Sequence, residues 1–347
     1  MSEHAHVRIR SHLSVVVHGP DEVEFRHGVW NPVSTTLSDS ARKGKLARLV
    51  DGLDGTVSPA ALAAAHGVDV DEVEALVERL GELELIEHRP ASALDAYLES
   101  AAPWRAGDRH APEERVLLLG EQPIGREVER MLGDVLVDTP VTVVSEDDPA
   151  RAVLDDPDTS WLADGLATEE RLAPFESWQG SVVVAPCRVV NPVRYKVLNR
   201  AARRHAIRWL HAALDGPFVL VGPTFVPPQS SCYECLETRV FLNLRDGANY
   251  QRYKRALALA EVRLGQPPLL SPLTGLLASH LALEALNLIL TGWTFTVGRM
   301  LAIHVPTMEI SFPDVLRVPG CPGCGSVPEG DGEVLYYDPP LDPDAES

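Results

Sequence analysis

The chain has 347 residues, 45% of them hydrophobic, and a formal charge of -19 from 50 acidic and 31 basic side chains. This length and apolar content suit two or three folded domains and exclude a disordered protein. The acidic balance excludes nonspecific nucleic-acid binding through phosphates, which needs clustered lysine and arginine.

Met1–His6 lacks a basic start followed by a long apolar run, so no signal peptide is expected and the chain reads as cytoplasmic. Three short strands follow at His6–Arg10, Ser14–His18 and Glu22–Arg26, the last two separated by a Gly19-Pro-Asp21 turn. Apolar and charged residues alternate along Val23-Glu-Phe-Arg26, the period of a strand with one wet face. A helix is expected over Ala41–Leu53. A second starts at the Ser58 cap, has Pro59 in its first position and runs to His66. The third is capped by Asp69 or Asp71, and its Val73, Leu76, Val77, Leu80 and Leu83 recur at helical spacing. Leu85–His88 reads as a closing strand.

This order of elements is that of a winged helix-turn-helix, but DNA binding is excluded by the third helix. It carries Asp71, Glu72, Glu74, Glu78 and Glu82 against Arg79 alone, and acid facing phosphate is repulsive. A free strand edge beside an amphipathic helix suits an extended peptide instead. The expected edge is Val23, Glu24, Phe25 and Arg26, and the expected groove wall is Val73, Leu76, Val77 and Leu80. The alternative for these four is burial in the domain's own core.

Residues 1–90 thus form a first module, 91–114 an Ala-, Pro- and acid-rich linker, 115–327 a larger domain and 328–347 a poorly ordered tail. Arg115–Gly120 looks like a buried parallel strand, followed by a helix through Leu132. A nucleotide-binding fold keeps its phosphate loop at such a junction. Here Gly-x-Gly-x-x-Gly is incomplete: Glu121 brings negative charge and Gln122 replaces the second glycine, so no ATP is expected. Further strands at Val141–Ser145, Ser181–Ala185, Ala206–His211, Phe218–Val221 and Met300–Val305 alternate with helices, which argues for a mostly parallel α/β sheet. The helix over Asn191–His205 is the most basic stretch, with Arg194, Lys196, Arg200, Arg203 and Arg204, read as a solvated face before a docking patch. Pro272–Leu290 is the most apolar segment, but Ser279, His280, Glu284 and Asn287 interrupt it, so a buried helix is expected and no membrane span.

Four of the five cysteines form two Cys-x-x-Cys pairs, Cys232-Tyr-Glu-Cys235 and Cys321-Pro-Gly-Cys324. Two such turns supply four sulfurs to a tetrahedral Zn²⁺. Disulfides need an oxidising compartment, and a redox dithiol needs only one pair. Four sulfurs leave no open position, so the zinc is structural and no catalytic residue is assigned. Cys187 reads as a small buried hydrophobe, and the scattered His205, His211, His280 and His304 as structural.

The sequence from Gly222-Pro-Thr-Phe225 through Cys232–Cys235, Leu236 and Arg239, with Cys321–Cys324 downstream, resembles the ThiF-like partner proteins of azoline-forming and thiopeptide gene clusters. The resemblance implies a winged-helix leader-recognition module joined to a degenerate adenylating-enzyme fold, like the N-terminal half of fused cyclodehydratases. It implies that a precursor's leader adds as a strand beside the module's third strand and packs on its third helix. It further implies a separate YcaO-type cyclodehydratase as partner, no membrane or nucleic-acid partner, and allows a homodimer. The competing expectation is an ATP-dependent adenylating enzyme acting on a peptide C-terminus. A zinc-bound winged-helix regulator ranks below both, because of the acidic third helix.

Overall fold

The structure, a computed structural model, describes residues 7–30, 33–87, 92–94, 97–98, 115–120, 122–259, 261–263, 265 and 269–325. Glu121, the tail 328–347 and most of the linker 91–114 lie outside the described residues. The chain divides into two compact units, residues 1–106 and 107–347.

In the first unit β1 (Arg8–Ile9) pairs with β5 (Ile86–Glu87), while β2 (Ser14–Gly19), β3 (Glu22–His27) and β4 (Val33–Ser38) form an antiparallel sheet in that order. The strand β4 was not expected. Its sequence, Val-Ser-Thr-Thr-Leu-Ser, is β-branched but polar, so the alternation that marks a half-buried strand is weak. Its presence changes the sheet: β3 is the central strand, paired with β2 on one side and β4 on the other.

Three helices follow, α1 (Leu46–Asp51), α2 (Pro59–His66) and α3 (Val70–Glu82). The Ser58 hydroxyl accepts from Ala61 N, and Gly67 ends α2 at φ +59, a left-handed position suited to glycine. Asp69, rather than Asp71, caps α3. The helix α1 begins later than the expected Ala41, because carboxylates hold the preceding amides in a loop. Asp39 accepts from Ala41 N and Lys43 N, and Asp21 from Gly44 N and Lys45 N. Val23 and Phe25 pack with Leu49, Val73, Val77 and Leu80 in this unit's core.

The second unit is built on a seven-stranded sheet of order β12-β11-β10-β9-β8-β6-β7. Its strands are β6 (Arg115–Leu118), β7 (Val141–Val143), β8 (Ser181–Pro186), β9 (Arg208–Asp215), β10 (Phe218–Phe225), β11 (Leu301–His304) and β12 (Glu309–Ser311). The expectation of a mostly parallel sheet is corrected here. Strands β7, β6, β8 and β9 are parallel, but β10, β11 and β12 run antiparallel. Gly216, at φ +55, lets β9 turn straight back into β10 without the helix a parallel crossover requires.

One face of the sheet is covered by α4 (Ile124–Gly133) and by α10 (Ser271–Thr291). The other is covered by α5 (Pro149–Asp155), α6 (Gly165–Leu172) and α7 (Pro192–Arg204). Helices α8 (Tyr233–Asn243) and α9 (Gly247–Ala258) follow β10. The helix α10 is long and apolar enough to cross a membrane, yet Leu277, Ala278, Leu281, Ala285 and Ile289 are buried on the sheet, as expected of a core helix. The basic side chains of α7 are largely neutralised at home: Arg194 pairs with Asp155, Arg200 with Glu234 and Arg204 with Glu169. Of the five basic residues only Arg204 is exposed, so the solvated-face expectation fits Arg204 and the others are half-buried.

Candidate peptide groove and metal centre

The expected receiving edge, Val23–Arg26, is not an edge. Both sides of β3 are hydrogen-bonded to neighbouring strands, and Val23 and Phe25 are sealed in the core at 0% and 1% exposure. Glu24 and Arg26 are engaged within the sheet. The Glu24 carboxylate bonds His18 at 2.8 Å, which holds it below the usual carboxylate range, and Arg26 pairs with Glu24 and donates to the carbonyls of Gly28 and Val29. The free edges belong to β2 and β4, since neither has a second partner among the described strands.

The helix stripe also divides. Val73, Val77 and Leu80 are buried in the unit's own core, while Leu76 is half-buried. With Glu72, Ala75 and Arg79 it makes a second face of α3, at the i, i+3, i+4, i+7 spacing of one helical stripe. That face and Leu37 and Ser38 of β4 enclose a groove of about 350 Å³. Leu46, Leu49 and Val68 complete its apolar floor, and Lys43 and Lys45 stand on its rim. The groove residues missing from the sequence reading sit in β4, the 39–45 loop, α1, Val68 and the second face of α3. The signal available for β4 was the Val/Thr-rich run after Gly28 and Pro32.

Groove and edge together have the parts that peptide capture by strand addition requires. Unpaired backbone groups on β4 offer hydrogen bonds, and the apolar floor offers a seat for a side chain. Lys43 Nζ lies 2.5 Å from Glu72 Oε1, and that carboxylate holds the ammonium above the usual lysine range. Lys45 Nζ donates to the Gly67 carbonyl at 2.7 Å.

In the second unit, Cys232, Cys235, Cys321 and Cys324 converge, with every pair of sulfurs within 4.8 Å. Three of those pairs stand 3.9, 3.7 and 3.4 Å apart. Those separations are too long for a disulfide and close to the ~3.8 Å edge of a tetrahedron with ~2.3 Å zinc–sulfur bonds. The donor set therefore fits Zn²⁺, and Val318 N donates to Cys235 Sγ at 3.4 Å, as amides do around metal thiolates. None of the four scattered histidines belongs to the cluster.

A clamp spans both knuckles. Glu234, between Cys232 and Cys235, is buried and meets Arg200 in a two-pronged ion pair at 2.8 and 3.1 Å. Arg200 also donates to the Pro322 carbonyl at 3.0 Å, and Asn199 accepts from Tyr233 N at 2.9 Å. Position 323 must be glycine: a Cβ there would lie 2.7 Å from Glu234 Oε1 and 3.0 Å from Cys232 Sγ.

Strands β6 and β8 flank the point where the order of parallel strands reverses, the usual crevice for a nucleotide. Gly120 and Gly125 still touch as the first and third glycines of a phosphate loop do. A Cβ on Gly120 would lie 3.0 Å from Gly125 Cα and 2.8 Å from Pro186 Cγ. The second position is Gln122, whose carbonyl accepts from Arg188 Nη2 at 3.1 Å.

No family model matches the sequence, and no curated protein matches it. Solved structures do match, over 92% of the chain. A heterocyclase in complex with substrate and cofactor superposes with a TM-score of 0.65 at 16% identity, over 40% of its own length. The heterocyclase TruD gives 0.62 at 18% identity, over 43% of its length. E. coli MccB, solved with AMPCPP and MccA, gives 0.54 at 14% identity over 100% of its length. The chain therefore has the α/β fold of these proteins, and spans about two fifths of the two heterocyclases.

Proposed function

We propose that this chain binds the leader of a ribosomally made precursor peptide as an added strand on β4, and presents the rest of that peptide to a separate YcaO-type cyclodehydratase. The observation that carries this reading is the unpaired β4 edge lying beside the groove that Ala75 and Leu76 of α3 help to line. The third strand of the module's sheet and its third helix are the two elements a captured leader would use, in the register corrected from β3 to β4. Two solved relatives in fold lend support, one described with its substrate and one with MccA.

Capture helps by concentration. A tethered leader turns the encounter between core peptide and cyclase into an intramolecular event, without new contacts to the residues being modified. The chain itself needs no catalytic group for this. Cys232, Cys235, Cys321 and Cys324 would hold Zn²⁺, which would supply a structural cross-link when bound. Arg200 and Glu234 orient the knuckles that hold it. We assign no ATP site, because Gln122 stands where close backbone approach to a pyrophosphate needs glycine and Pro186 packs onto Gly120.

Calorimetric titration of the full chain with the leader of a precursor encoded beside its gene tests the proposal. Binding in the micromolar range is expected, and no heat at high micromolar peptide would remove it. The second reading is adenylation of a peptide C-terminus, favoured by the match along the whole of MccB and by the retained Gly120–Gly125 contact. Peptide-dependent exchange of pyrophosphate into ATP would reverse the ranking.

A further inference from the structure

The groove is cationic on an acidic protein. Lys43, Lys45 and Arg79 line it, in a chain whose formal charge is -19. Of the acids beside them, Asp39 spends both carboxylate oxygens on the backbone amides of Ala41 and Lys43. Arg79 pairs with Glu82 at 2.6 Å. Glu72 is drawn across to Lys43 at 2.5 Å. Lys45 differs from these: its ammonium meets a neutral carbonyl, that of Gly67, and among the described residues no carboxylate pairs with it. A full charge satisfied by one peptide oxygen at the mouth of an apolar groove is placed to meet an anion that arrives with an apolar side chain.

Resting on the peptide-capture reading above, we propose that the groove selects a segment in which a large apolar residue is flanked by carboxylates. The apolar side chain sits over Leu76 and Leu49. One carboxylate pairs with Lys45. A second reaches Lys43 only by displacing Glu72, so Glu72 is an internal competitor that sets how acidic a peptide must be. Glu72 and the peptide acid compete for one ammonium, and the exchange swaps one ion pair for another with no other chemistry.

A display library of random dodecapeptides, panned against the full-length wild-type chain and against two variants, tests this without knowledge of the natural leader. Wild type is expected to enrich peptides with Asp or Glu beside Leu, Ile or Phe. Lys45→Glu should shift the enriched position from acidic to basic residues. Glu72→Gln should bind one enriched acidic peptide about two- to fivefold more tightly, the range of an exposed ion pair, and the gain should shrink as salt rises. Both substituted side chains reach the surface, so melting curves matching that of wild type are expected. Enrichment without acidic bias, or a bias that Lys45→Glu leaves in place, overturns this inference and spares peptide capture. No enrichment by wild type overturns both.

Discussion

Glu234 sits between two cysteines of the candidate metal site; its partner is Arg200, and the pair holds both knuckles from outside the sulfur cluster. Removing the buried Glu234 carboxylate leaves the half-buried Arg200 without its ion-pair partner. Glu234→Gln should therefore cost about 3 kcal/mol in urea unfolding, and zinc should dissociate faster to a chromogenic chelator. His211 offers a second check at the level of one residue. It lies buried among Tyr195, Trp209 and Phe225, and burial pushes its pKa down to about 4. The unfolded chain then binds the extra proton between about pH 6.5 and 4, so stability falls as pH drops through that window. The full loss is about 3 kcal/mol, since each tenfold weakening of proton affinity is worth about 1.4 kcal/mol. Unfolding midpoints at pH 7 and 4.5 should differ less in His211→Leu than in the wild type; equal differences would show that His211 is not the titrating group.

The helix α3 has a core face and a groove face, and mutation should separate the stability of the one from the proposed peptide binding of the other. Leu76→Asp, on the groove face, should weaken peptide binding at least about tenfold while leaving the melting temperature nearly unchanged. Val77→Ala, on the core face, should cost about 1–3 kcal/mol of stability without altering the affinity of the folded fraction. The sequence showed an amphipathic helix and its caps clearly, because the Ser58-Pro59, Asp69 and Asn191-Pro192 signals act within one turn of chain. It did not show which part of the stripe faced inward. Val73, Leu76, Val77 and Leu80 share one broad arc, and only the position of β3 decides that Leu76 is left at the margin. The strand β4 escaped for a related reason: Ser34, Thr36 and Ser38 are exposed and Thr35 half-buried, so hydrophobic alternation is nearly absent from a strand whose order comes from pairing with β3.

At the scale of the whole chain, the cysteine spacing could be read directly because ligand geometry is local, although the two knuckles lie 89 residues apart. The antiparallel half of the sheet was missed because the expected strand stopped at His211; only the full run of β9 to Asp215 leaves a gap before Phe218 too short for anything but a hairpin. The cysteine cluster joins the start of α8 to the segment after β12, bringing two distant stretches of the second unit together. The chain should carry one zinc by atomic absorption. Cys235→Ser should retain little of it and melt several degrees lower, whereas peptide binding by the first unit, measured at a temperature where that variant remains folded, should persist. Loss of both together would contradict the assignment of the two roles to separate units.

The turn at Gly19-Pro20-Asp21 looks like mere punctuation in the sequence. In the fold, the Asp21 side chain accepts from Gly44 N and Lys45 N, while Pro20 O accepts from Ala47 N and Asp21 O from Asp39 N. It moors the segment bearing both rim lysines, so under the proposed peptide capture it would shape the mouth of the groove without lining it. Asp21→Ala should blur the choice among peptides more than it lowers affinity for any one of them.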